Sequence, residues 1–193
     1  PARAAAGQAP PFNEYLFLNE EFILAAICAS GFAIGFIVSS QIWPIPSRAE
    51  RIARLFEDIC LASAEARLGE TAFRLAGARG LSASGKGVWL DTVSASRLTV
   101  RPRRCAIETY PPFALSREDA RELASLTESV TRRTFPDLPF DPASTMGPET
   151  ISKAWITAPL HSRQRWGVYF FAYPDWKDSA GSTLNLTLPE PEN

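Results

Sequence analysis

The chain has 193 residues, with 20 Lys and Arg against 21 Asp and Glu, and a net charge of −1. That balance argues against a nucleic-acid binder working by bulk electrostatics, and 46% apolar with 21% charged residues excludes wholesale disorder. Three cysteines are too few for a disulfide-dense miniature scaffold, and one histidine leaves little for a metal site or a catalytic triad.

Residues 1–21 read as an irregular arm. PARAAAGQAPP has no period, and FNEYLFLNEE mixes Phe12, Tyr15, Phe17 and Leu18 with acids. Residues 22–43, FILAAICASGFAIGFIVSSQIW, carry no charge. A helix of that length rises about 33 Å, the thickness of a hydrocarbon core. Glu20 and Glu21 bound it on one side and Trp43-Pro44 on the other. The run exceeds the apolar region of about 7–15 residues in a cleavable signal, so a retained transmembrane anchor is expected. Cys28, Gly31, Gly35 and Ser39 form a small-residue stripe of the kind that lets two helices approach closely in lipid. The expected partners are therefore the membrane and other integral-membrane subunits, or a second copy of the chain.

Residues 47–188 read as one soluble domain and 189–193 as a tail. Ser47 with Glu50 forms a capping box, followed by an apolar stripe of Ile52, Leu55, Phe56, Ile59 and Cys60, with Gly69 as the stop. Residues 70–80 read as a shorter helical turn. Three strands follow, at 88–91, 97–101 and 105–109, separated by turn residues. A second helix starts at Ser116, with Leu123, Leu126 and Val130 on its apolar face and Arg132-Arg133 at its C-terminal end. A loop with four prolines runs from 135 to 148, and strands resume at 154–158, 165–173 and 183–188. The order predicts an α+β fold: one N-terminal transmembrane helix, then a compact domain of two helices packed on an antiparallel sheet.

Two signals bear on membrane orientation. Arg48, Arg51 and Arg54 follow the apolar run while only Arg3 precedes it, which places the domain in the cytoplasm by the positive-inside rule. Cys60 on a predicted helix and Cys105 on a predicted strand argue the other way if they pair, because a disulfide persists outside the cytoplasm. Spacing alone leaves both a bond and two separate buried thiols open.

A resemblance bears on the choice. Leu55-Phe56-Glu57-Asp58-Ile59-Cys60-Leu61-Ala62, Val88-Trp89-Leu90-Asp91, Arg104-Cys105-Ala106-Ile107 and Arg165-Trp166-Gly167-Val168 resemble a loose group of small exported single-disulfide domains of alphaproteobacteria. The likeness covers most of residues 50–188. It implies a Cys60–Cys105 bond and a periplasmic domain at the bacterial inner membrane, and it carries no activity. The group normally follows a cleaved signal, whereas an anchor is expected before this domain. Separately, Leu18-Asn19-Glu20-Glu21-Phe22-Ile23 is similar to the start of the membrane segment of mitochondrial ATP synthase subunit b. The long charged helix of such subunits does not follow, so nothing is carried over.

Catalytic readings find little footing. Gly80 to Gly87 echoes a phosphate-binding loop, but Gly87 stands where the magnesium-ligating hydroxyl belongs and a strand follows where a helix is needed. The stretch reads as a flexible turn, and no nucleotide is expected. His161 lies in a polar hairpin loop with no nucleophile in its context. No cofactor, metal or nucleic acid is expected. Two surfaces remain. Arg101, Arg103 and Arg104 surround Pro102, and alternation puts Tyr169, Phe171 and Tyr173 on one face of their strand with Val168, Phe170 and Ala172 on the other. The expectation is a non-catalytic single-pass accessory subunit bracing a larger inner-membrane complex, respiratory or photosynthetic. The alternative is a free-standing anchored periplasmic module that binds a ligand or protein.

Overall fold

A capping box opens the first helix. The Ser47 hydroxyl accepts from the Glu50 N–H at 3.0 Å, and the Glu50 carboxylate accepts from the Ser47 N–H at 2.9 Å. The Ser47 hydroxyl also donates to Glu122, at 2.9 Å. The computed structural model describes residues 45–64, 68–144, 147–159 and 162–190. The chain divides into units Pro1–Ile45 and Pro46–Asn193, and only the second is described. The expected membrane span 22–43, its stripe Cys28, Gly31, Gly35 and Ser39, and His161 lie outside the described residues. Among the described residues no helix is long and apolar enough to cross a membrane.

Helix α1, Arg48–Leu55, buries Ala49, Ile52, Ala53 and Leu55. It continues as a π-helical segment, Phe56–Leu61, that buries Phe56, Ile59, Cys60 and Leu61. The wider turn changes the phase of the apolar stripe while the chain crosses the strands Arg104–Thr109 and Gly181–Thr187. Helix α2 is Glu70–Ala78. The shorter helical turn expected over residues 70–80 is this nine-residue helix; Ala72 and Ala76, fully buried one turn apart, are small enough to seat it closely on the domain. Helix α3, Arg117–Thr134, is capped by Ser116 and buries Leu123, Ala124, Thr127 and Val130.

Seven strands form one antiparallel sheet: β1 Ser82–Gly85, β2 Val88–Asp91, β3 Ser96–Arg101, β4 Arg104–Thr109, β5 Ile151–Ile156, β6 Gly167–Tyr173 and β7 Gly181–Thr187. The order is β1-β2-β3-β4-β7-β6-β5, so two meanders join where β4 pairs with β7. The expected α+β architecture is present, with three helices in place of two and seven strands in place of six. The added strand, Ser82–Gly85, is the stretch read as a flexible turn. It carries no apolar alternation because all four residues are exposed on a sheet edge.

The helices cover one sheet face. Alternation sends Leu98 and Val100, Cys105 and Ile107, Val168 and Phe170, and Leu184 and Leu186 into that core, where they meet Phe56, Ile59 and Leu123. Cys60 and Cys105, both fully buried, form a disulfide with Cα atoms 5.4 Å apart. Gly167 opens β6 at φ +155°, and a Cβ there would lie 2.0 Å from the Trp155 carbonyl oxygen. That close approach gives the glycine of Arg165-Trp166-Gly167-Val168 its physical reason.

Candidate interaction surfaces

Among the described residues the three helices lie on the first sheet face, and the second carries only the short turn Pro142–Ser144 beside β5. Alternation places Arg97 and Thr99, Arg104 and Glu108, Thr183 and Asn185, and Tyr169, Phe171 and Tyr173 there, in register across β3, β4, β7 and β6. Tyr169 and Phe171 stack with ring centroids 6.3 Å apart. With Arg104, Arg165 and Asn185 they line a groove of about 550 Å³. Guanidinium groups therefore stand beside aromatic faces, a composition suited to protein contact.

The structure brings some of the expected interface residues together. Tyr169, Phe171, Tyr173 and Arg104 share the groove. Arg104 is steadied by a hydrogen bond from its Nε to the Asn185 Oδ1, at 3.0 Å. Arg103 is committed elsewhere: it donates to the carbonyls of Leu188 and Pro189 and pairs with Glu190 at 2.9 Å, holding down the chain after β7. Arg101 stands exposed at the end of β3. The basic cluster thus divides into a groove residue, a structural clasp and an exposed charge. The groove residues Arg165 and Asn185 are not singled out by the sequence: Asn185 reads as a polar position of a regular alternating strand, and Arg165 as the start of a strand over 165–173, whereas β6 begins at Gly167 and Arg165 lies in the loop before it.

A second hollow, of about 420 Å³, lies where β2 and β4 end. Leu90, Arg97, Glu108, Tyr110 and Phe113 line it. Arg97 pairs with Glu108 at 2.9 Å, bonds the Tyr110 hydroxyl and lies 4.5 Å from the centre of the Tyr110 ring. Burial, and then the neighbouring Glu108 carboxylate, push the Tyr110 hydroxyl above its ordinary range. Sequence reading passed over this hollow because Tyr110 and the two prolines after it signal the end of a strand; the available signal was Phe113, a large apolar residue in a loop.

Beneath the hollow, Arg48 serves as a clamp. Its guanidinium donates to the carbonyls of Ser94 and Ala95 in the β2–β3 turn and of Phe113 and Ala114 in the loop after β4. Burial lowers its pKa somewhat. One helical turn on, Arg51 grips Asp91 through two bonds, at 3.0 and 3.2 Å. Asp91 is only 3% exposed. Burial pulls its carboxyl upward, but the bonds from Arg51 and from the hydroxyl and N–H of Ser94 outweigh it and hold the pKa below the usual carboxylate range. The same balance holds elsewhere: the bond to Glu108 raises the Arg97 pKa and the bonds from Lys153 and Arg132 lower that of Glu128, in each case against the effect of burial. Among the described residues no group of three or more His, Cys, Asp or Glu could hold a metal ion.

Comparison with known families, with characterised proteins and with solved structures finds no match to this chain.

Proposed function

We propose that this chain is a non-catalytic single-pass accessory subunit of a larger inner-membrane assembly. Residues 22–43 anchor it, with Cys28, Gly31, Gly35 and Ser39 facing another integral-membrane subunit. The disulfide-bonded domain lies on the periplasmic side and lays its uncovered sheet face against the assembly.

The observation that carries this reading is the asymmetry of the sheet. One face is sealed by three helices. The other presents Tyr169 and Phe171 with Arg104 and Arg165 around a groove. Half-buried aromatic rings on rigid strands lose little conformational freedom when a partner covers them. Guanidinium groups at the rim favour acidic or carbonyl-rich partner surfaces. Asp91, Arg97 and Glu128 are engaged in ion pairs and Arg48 in bonds to backbone carbonyls, which suits a structural role.

The test is purification of the tagged full chain from native membranes in mild detergent, beside a Tyr169→Ser/Phe171→Ser variant. The reading expects integral-membrane partners at fixed stoichiometry with the parent chain, and their loss with the variant at unchanged thermal stability. A parent chain that runs alone, or a variant that keeps its partners, overturns it.

A further inference from the structure

Large exposed apolar side chains gather at one end of this domain. Leu90, Val93, Tyr110, Phe113 and Trp176 are between 42% and 75% exposed. The register puts them together. Asp91 pairs with Ser96, Thr109 with Ser182 and Tyr173 with Gly181, so the β2–β3 turn, the loop after β4 and the β6–β7 turn all leave the same edge of the sheet. An ion pair between Arg117 and Asp175 ties the start of α3 to the β6–β7 turn. The turns at the opposite end carry Lys86, Arg103, Arg163 and Arg165, with Phe140 as the exposed apolar residue there, while Asp175, Lys177 and Asp178 flank Trp176 in the β6–β7 turn.

This apolar end is also where the chain enters the domain. Arg48, in the first turn of α1, binds both the β2–β3 turn and the 113–114 backbone. The charge-free run ends at Trp43, four residues before the cap Ser47. Those residues reach at most about 14 Å when extended. If the run is in a bilayer, the tether holds this end of the domain at the headgroup layer. Aromatic residues with polar tips, such as Tyr110 and Trp176, favour that layer.

We propose that the 92–95 turn and the 110–114 loop dock on the lipid surface, with Val93 and Phe113 inserted at the headgroup boundary and Tyr110 and Trp176 beside them. Arg48 is the positioning residue that holds the two loops side by side. The proposal rests on the anchored reading above and adds an orientation: the sheet stands with its strands pointing toward the membrane, so the Tyr169–Phe171 groove faces sideways, toward a neighbouring subunit. Lipid is favoured over a protein occupant because the tether brings lipid to this end whatever else is bound.

The experiment uses the full chain with Cys28→Ser and single cysteines at Val93→Cys, Phe113→Cys or Lys86→Cys, each labelled with an environment-sensitive fluorophore. Cys60 and Cys105 are bonded and buried and do not react. In phosphatidylcholine vesicles, emission at 93 and 113 is expected to shift to the blue. Quenching by lipid-borne nitroxide is expected to exceed that at 86 by about twofold or more. Equal, water-like emission at all three sites in a chain that resists alkaline extraction overturns the proposal and leaves the anchor intact. Release by alkaline extraction overturns both. A blue shift seen only after native membrane proteins are added assigns the surface to a protein partner and overturns the lipid assignment.

Discussion

Breaking the Cys60–Cys105 link should remove a large part of this domain's stability. The bond joins the π-helical segment to β4 across 45 residues of chain. Loop-closure entropy for that length is about 4 kcal/mol at room temperature, against total stabilities of about 5–15 kcal/mol for single domains. Both residues are fully buried, so reduction requires the segment to lift from the sheet. Two perturbations separate the causes. Reducing the wild-type chain during unfolding breaks the link while keeping both sulfur atoms. The Cys60→Ala/Cys105→Ala variant also removes buried volume, which adds about 1 kcal/mol per site. Guanidinium unfolding, followed by tryptophan fluorescence in detergent, should show the reduced chain about 4 kcal/mol less stable and the variant lower still. The slope of the transition should also steepen, because an unlinked unfolded chain exposes more surface. A difference below about 1 kcal/mol between oxidised and reduced chains would refute the reasoning. It would mean that packing of Phe56, Ile59 and Leu61 alone fixes the segment.

Three further outcomes are expected. Gly167→Ala should cost about 3 kcal/mol or more, because the new methyl carbon would meet the Trp155 oxygen at 2.0 Å and the Ile156 Cα at 2.8 Å; an unchanged melting temperature would show that β5 and β6 yield easily. Asp91, with its folded pKa held down, contributes stability that is complete above the unfolded value of 3.8 and is lost as pH falls through the lower folded value. Asp91→Asn should therefore cost about 2–3 kcal/mol at pH 7 and flatten the acid limb of the stability curve, and an unaltered acid limb counts against the Arg51 pair. Arg48→Met keeps the apolar stem but leaves the backbone carbonyls of Ser94 and Phe113 without their donor. It should cost about 1–3 kcal/mol and speed amide hydrogen exchange selectively in residues 92–95 and 110–115; uniform exchange across the domain would refute the clamp.

The elements that sequence located best are those whose signals are local. The Ser47 box and the Ser116 cap each act within a few residues and stand at the expected place, and the alternation expected over 165–173 is present from Gly167 onward. The apolar stripe of α1 also predicted its buried face, but nothing in it marks the π-helical phase change at Phe56, which depends on contact with strands far along the chain. Strand β1 was missed for the complementary reason. Ser82 to Gly85 owes its conformation to pairing with Val88–Leu90 at an edge, where neither face is buried and no alternation is required. The groove was half legible. Tyr169 and Phe171 follow from period two, whereas Asn185 joins them through strand register and Arg165 through the course of the β5–β6 loop, neither of which a single sequence specifies.

The arginines after the apolar run show how a topological signal and a structural one can share residues. Three of them, Arg48, Arg51 and Arg54, favour cytoplasmic placement by count. Two of the three are consumed by the fold: Arg48 by four backbone carbonyls and Arg51 by Asp91. Their presence is therefore explained without reference to the membrane, and the count loses weight as evidence of orientation. The Cys60–Cys105 pair has the opposite character. Two buried thiols would be stable in either compartment, but a bond between them persists where the surroundings are oxidising. The same first helix thus carries both signals. Its Arg48 and Arg51 hold the β2–β3 turn and the 113–114 backbone, and its π-helical continuation carries the cysteine to β4. A domain built this way has a mechanical reason to keep Arg48 and Arg51 whichever side of a membrane it occupies, so the charge count and the disulfide are independent signals and only the second depends on the redox state of the compartment.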